Sequence, residues 1–134
     1  METFKIVVLS LSGLALFYAS SMRLINPNKA NFLKTYIGNS EIKLEKDTDL
    51  LNEIRGIGSV MLLGGILVLM GTIMPDFKQT SFVVASLIFG GVVLGRLISF
   101  GLDGIPNADI IRAAIIEVTL CVLNLFCLVS ILRN

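Results

Sequence analysis

The side chains in this sequence that could do chemistry are few, and most are charged residues at the ends of apolar runs. Arg96 stands in the last third of the apolar stretch Ser81–Asn107, and Glu117 stands about two turns into the next one. An arginine among hydrocarbon costs about 2.5 to 3.5 kcal/mol on insertion scales, so it calls for a partner or a water-filled niche. Glu53 and Arg55 open another apolar run, Ser99 and Asp103 follow Arg96, and Asp109 and Arg112 precede Glu117. Glu53, Arg55, Arg96, Ser99, Asp103, Arg112 and Glu117 are therefore the candidate polar cluster. A guanidinium and a carboxylate at matched depth can form a bidentate ion pair. Such a pair is first a structural clamp, and second the wall of a pocket for a lipid headgroup, a quinone ring or another anionic or amphipathic small molecule. A proton path ranks third, because beyond Glu117 only Asn124, Ser86 and Thr72 are polar at depth. Three arginines (Arg55, Arg96, Arg112) stand against two glutamates (Glu53, Glu117), with Asp103 and Asp109 on the rim, which predicts a spare cationic donor beside Arg96 and Arg112.

The same inventory excludes much. There is no histidine, and Cys121 and Cys127 lie on different faces of one helix, so neither a disulfide between them nor a metal or haem site is expected. No nucleophile elbow or Gly-rich phosphate loop appears, so no catalytic residue and no cofactor are expected. The formal net charge is +1 with no basic stripe, which argues against nucleic acid.

The elements that must position these residues follow from composition. The chain has 134 residues, is 54% hydrophobic and 16% charged, and has a mean hydropathy of +0.85, far from a soluble domain. Four runs approach the ~20 residues that span hydrocarbon. Lipid leaves backbone groups unsatisfied unless the chain is helical, and no alternating barrel pattern is present. The expected fold is all-α: an integral membrane four-helix bundle with helices over 4–25, 52–74, 79–101 and 109–132, one domain over 1–134, and a polar extramembrane loop at 26–52. The first run reads as a retained helix rather than a cleaved signal. Within the loop, the spacing of Phe32, Leu33, Tyr36 and Ile37 predicts a short amphipathic helix.

Gly58, Gly65 and Thr72, spaced by sevens, predict a packing seam, and the Gly91/Gly95 pair reads as close packing inside the chain. Ala113, Glu117, Cys121 and Asn124 share the inward face of the last helix, while Tyr18 and Arg23 mark an interface. Counting crossings brings the end of the third helix and the start of the fourth to one membrane face. Arg96 and Glu117 then both lie ~8 to 11 Å below it, within reach of each other.

Glu53-Ile54-Arg55-Gly56, Gly64-Gly65, Gly95-Arg96-Leu97-Ile98-Ser99 with Asp103-Gly104-Ile105-Pro106, and Glu117 together resemble the domain of unknown function 4345 family of small bacterial integral-membrane proteins. The resemblance covers nearly the whole chain except the loop from Asn28 to Asp49. It implies a four-helix bundle similar to DoxX-like proteins, a bacterial inner (cytoplasmic) membrane, a cytoplasmic amino terminus and no assigned activity. Lysines and arginines are nearly balanced between the two sides with a slight lean toward a cytoplasmic loop; against that lean, the orientation rests on what the resemblance implies: both termini cytoplasmic, the polar cluster outward. The expected function is a non-catalytic membrane protein, either a homo-oligomer or an accessory subunit among partner membrane proteins and lipid. The alternative is a binder or carrier of a lipid, quinone or other small amphipathic molecule beside Arg96.

Overall fold

The structure is a computed structural model that describes residues 1–27 and 48–133. Four helices make up almost all of it: α1 Glu2–Ile25, α2 Thr48–Ile73, α3 Lys78–Leu102 and α4 Ala108–Leu132. Among the described residues there is no strand. All four helices are long and apolar enough to cross a membrane, which is the all-α fold expected from the apolar runs.

The helix ends have local causes. Met74 is extended before Pro75, as the residue preceding a proline prefers, and α2 stops there; the 3-10 turn Pro75–Phe77 then delivers the chain into α3. Gly104, at φ +97, makes the turn after α3 in a conformation that suits glycine. Asn107 caps α4, its side chain accepting from the backbone N–H of Asp109 at 2.9 Å and of Ile110 at 3.1 Å.

One boundary corrects the sequence. Residues 48–52 are helix rather than loop, because α2 begins at Thr48 with Asp49 in its first turn, where a negative charge suits the helix dipole. A helix need not start where its apolar run starts. The expected amphipathic helix near Phe32–Ile37 lies outside the described residues.

Helices adjacent in sequence make the large interfaces, α1 with α2 foremost, while α1 touches α4 only slightly. The α1–α2 seam is the one the sevens predicted. A Cβ on Gly58 would stand 2.9 Å from that of Arg23, and one on Gly65 would stand 3.1 Å from that of Leu16. Thr72 turns its hydroxyl to the carbonyl of Leu69 at 2.7 Å. Ser81 ties α3 to α2 by donating to the carbonyl of Leu67 at 2.7 Å. Val8, Leu9 and Leu16, Met61 and Val68, Phe82 and Phe89, and Leu120 and Cys127 form the core. They run from the end of the bundle that holds the α2–α3 turn to about its middle, with Leu16 a little beyond. No residue from Gly90 to Thr119 is buried, so the far half of the α3–α4 pair has no enclosed core.

Gly91 and Gly95 correct a second expectation. A Cβ on either would meet nothing within 4 Å, so the pair does not serve packing inside this chain. The reason is where the small residues of the contact sit. α2 brings its own Gly64 and Gly71 against Ile88 and Ser81, so α3 meets it with ordinary side chains. The opposite α3 face stays open, with Leu87, Leu94 and Ile98 exposed beside the two glycines.

Candidate functional site

The site is built at the open end of the α3–α4 hairpin. Because the two helices are antiparallel across a short turn, an arginine near the end of α3 and a glutamate in the third turn of α4 come to one level. Arg96 donates through Nε to Oε2 of Glu117 and through Nη2 to Oε1, the latter at 2.8 Å. This is the two-pronged guanidinium–carboxylate geometry, stronger and more directional than a single contact. The two side chains are 21% and 17% exposed, so the pair is largely withdrawn from solvent. Seven residues after Arg96, at the cap that ends α3, Asp103 accepts from the hydroxyl of Ser99 at 2.9 Å.

The other members of the cluster are not part of this arrangement. Arg112 pairs with Asp109 at 3.2 Å on an exposed surface, an i,i+3 contact that contributes little. Glu53 and Arg55 are exposed on α2, and among the described residues neither joins an ion pair. The ring of charges expected around Arg96 is therefore not assembled among the described residues: Arg112, Glu53 and Arg55 stand apart from the pair, and of the expected spare cationic donor there is one guanidinium nitrogen of Arg96, Nη1, that makes no hydrogen bond among the described residues. Glu117 engages two nitrogens of Arg96, and Asp109 engages Arg112. Asp103 accepts from the Ser99 hydroxyl and joins no ion pair among the described residues.

Arg23 is the neighbour that the sequence reading missed. It is half-buried, donates to the carbonyl of Ala19 at 3.0 Å, and feels the charges of both Glu117 and Arg96. A position in the last turn of α1 suggested the interface. The depth count that joined Arg96 to Glu117 set Arg23, two residues from the end of α1, nearer the surface than either.

Beside the ion pair a groove of about 420 Å³ opens, within the range of small-ligand sites. Val92, Phe100 and Ile110 give it apolar walls, Arg96, Ser99 and Asp103 give it a polar side, and the turn from Gly104 to Asn107 closes it.

Deeper in the bundle, Asn124 is fully buried and donates to the hydroxyl of Ser12 and to the carbonyl of Leu120, both at 2.7 Å. Its Oδ1 and the hydroxyl of Ser86 have no partner among the described residues. Hydrogen bonds between membrane helices contribute about 0.6 kcal/mol on average, and an unpaired buried oxygen costs more than that. Asn124→Leu is therefore expected to change stability by less than about 1 kcal/mol; denaturant unfolding in detergent measures it, and a larger loss would mean that the Ser12 link holds α4 to α1. At the opposite end Lys5, buried at 5% exposure, lies 3.4 Å from Glu2, which also binds Lys78. The half beyond Asn124 is thus more polar than its sequence suggested. Both cysteines are free, and among the described residues no three His, Cys, Asp or Glu side chains stand close enough together to hold a metal ion.

A family model described as a domain of unknown function, DUF4345, matches residues 4–128. The chain belongs to the DUF4345 family. The match takes in the polar site of this DUF4345 protein and nearly all of its four helices. No curated protein and no solved structure matches the chain.

Proposed function

We propose that this DUF4345 protein is a non-catalytic, multi-pass protein of a bacterial inner membrane that holds a small amphipathic molecule in the groove beside Arg96. The observation that carries this reading is the meeting of apolar walls and paired polar side chains in one cavity at the end of two membrane helices. A molecule with a polar head and an apolar body matches both surfaces. The acid and guanidinium that could act on a substrate are bound to each other, which supports binding over catalysis. Gly95 lines the groove and has space above its Cα, so Gly95→Phe fills the cavity without a clash at Cβ. The wild-type protein, purified in mild detergent, is expected to retain a lipid or quinone on mass analysis, and Gly95→Phe to lose it while unfolding at the same temperature. Equal retention by the variant would move the ligand elsewhere.

The open face of α3 favours a second reading, a homo-oligomer or accessory subunit, because small residues let another helix approach closely. The mass of the solubilised particle separates the two, a monomer that retains ligand supporting the first.

For orientation we propose cytoplasmic termini with the Arg96 end outward. A Lys43→Cys reporter, in a chain whose Cys121 and Cys127 are replaced by alanine, is then expected to react with an impermeant thiol reagent before the inner membrane is opened. Reaction only afterwards reverses the orientation.

A further inference from the structure

The groove's charge narrows what it can hold. The lining carries one cation, Arg96, and one carboxylate, Asp103, the latter fixed on one side by the Ser99 hydroxyl at Oδ2, while Glu117 holds Arg96 from outside the lining. An anionic headgroup would meet that carboxylate without compensation. Arg96 nevertheless lines the groove and has one nitrogen, Nη1, that makes no hydrogen bond among the described residues. The groove therefore offers a donor for an anionic oxygen at Arg96 and an acceptor for a cation at Asp103. They sit seven residues apart, Arg96 on α3 and Asp103 just past its end, nearer the membrane surface. A headgroup that satisfies both carries a phosphate and an ammonium in sequence. A quaternary ammonium would answer the charge of Asp103 but could not donate to its free Oδ1, whereas a primary ammonium does both. Val92, Phe100 and Ile110 provide the apolar surface that the acyl end of such a molecule needs.

We infer that the groove between the ends of α3 and α4 binds a zwitterionic phospholipid with a primary amine, its ammonium on Asp103 and its phosphate on Nη1 of Arg96. This inference rests on the groove being a binding site, as proposed above, and adds the class of its ligand. It also implies that the outward end of this hairpin registers the headgroup composition of the leaflet around it.

The test is native mass spectrometry of the full chain in micelles doped equally with dioleoyl phosphatidylethanolamine, phosphatidylcholine and phosphatidylglycerol. The ethanolamine lipid is expected to be retained about fivefold over either of the others, the discrimination that one exposed charge-assisted hydrogen bond supplies. Asp103→Asn removes the charge without touching the Arg96–Glu117 pair and is expected to bring the three lipids within about twofold, with unchanged thermal unfolding. Asp103→Lys is expected to turn the preference toward phosphatidylglycerol. Equal retention of all three by the wild type, or a preference that survives Asp103→Asn, overturns the headgroup assignment alone if Gly95→Phe still abolishes retention. A wild type that retains no lipid of any kind removes the binding reading and this inference together. Competition by water-soluble O-phosphoethanolamine as effective as that of the lipid would overturn the assignment of a membrane ligand.

Discussion

Arg96→Met alone is expected to lower the stability of the solubilised protein by about 3 kcal/mol, the low end of the range for breaking a buried pair, because about a fifth of each side chain is still exposed. The loss has two parts. One is the two-pronged bond; the larger is that Glu117 is left as an uncompensated carboxylate among Ala113, Cys121 and the α3 side chains. Arg96→Met with Glu117→Gln removes both charges at once and is expected to recover most of the loss, since replacing a whole buried ion pair by side chains of similar volume is often neutral. Unfolding of wild type, the two single variants and the double variant completes a cycle that isolates the coupling. A double variant no more stable than the worse single one would mean that the two residues act separately.

The second large effect belongs to glycine and depends on which glycine. A Cβ on Gly65 would stand 3.1 Å from the Cβ of Leu16, 3.3 Å from the backbone nitrogen of Phe17 and 3.4 Å from the carbonyl of Gly13. Two of those atoms are backbone of α1 and cannot rotate away, so a longer side chain has to push the helix. Gly65→Leu is expected to cost about 3 kcal/mol or to prevent accumulation of the folded protein, at the upper end of the cost of overpacking. Gly91→Leu, with nothing within 4 Å, is expected to stay within about 0.5 kcal/mol of wild type. Expression yield and denaturant midpoint read both, and Gly91→Leu proving as damaging as Gly65→Leu would mean that the α3 face is covered.

How much of this was legible in the sequence differs by element. The four helices were, because each apolar run has the length that hydrocarbon demands and ends at a proline, a glycine turn or an asparagine cap. The Gly58–Gly65–Thr72 seam was, because spacing by sevens keeps one face toward one neighbour. The level shared by Arg96 and Glu117 was also legible, since antiparallel helices joined by a short turn convert sequence distance into depth. What a partner helix uses was not: Gly91 and Gly95, four apart, signal close packing as Gly58 and Gly65, seven apart, do, and only the positions of the neighbouring helices decide which pair is packed. Charge counting failed for the same reason. It allotted Arg112 to the central cluster, whereas Asp109, one turn before it on α4, is nearer. Arg23 and Lys5 lie toward the ends of α1, where a sequence alone does not tell a side chain that turns outward from one that turns in.

That the large interfaces join helices consecutive in the chain bears on how the protein enters a membrane. The pair α1–α2 can close its glycine seam before α3 has been made. Arg96 then emerges with its counter-charge on the very next helix, a short turn away, so the two groups can cross into the bilayer as one hairpin already neutral at its charged level. No helix has to wait in lipid for a distant segment to compensate it. The slight contacts of α1 with α3 and α4 join helices apart in the chain, and among the described residues they are a small part of the packing.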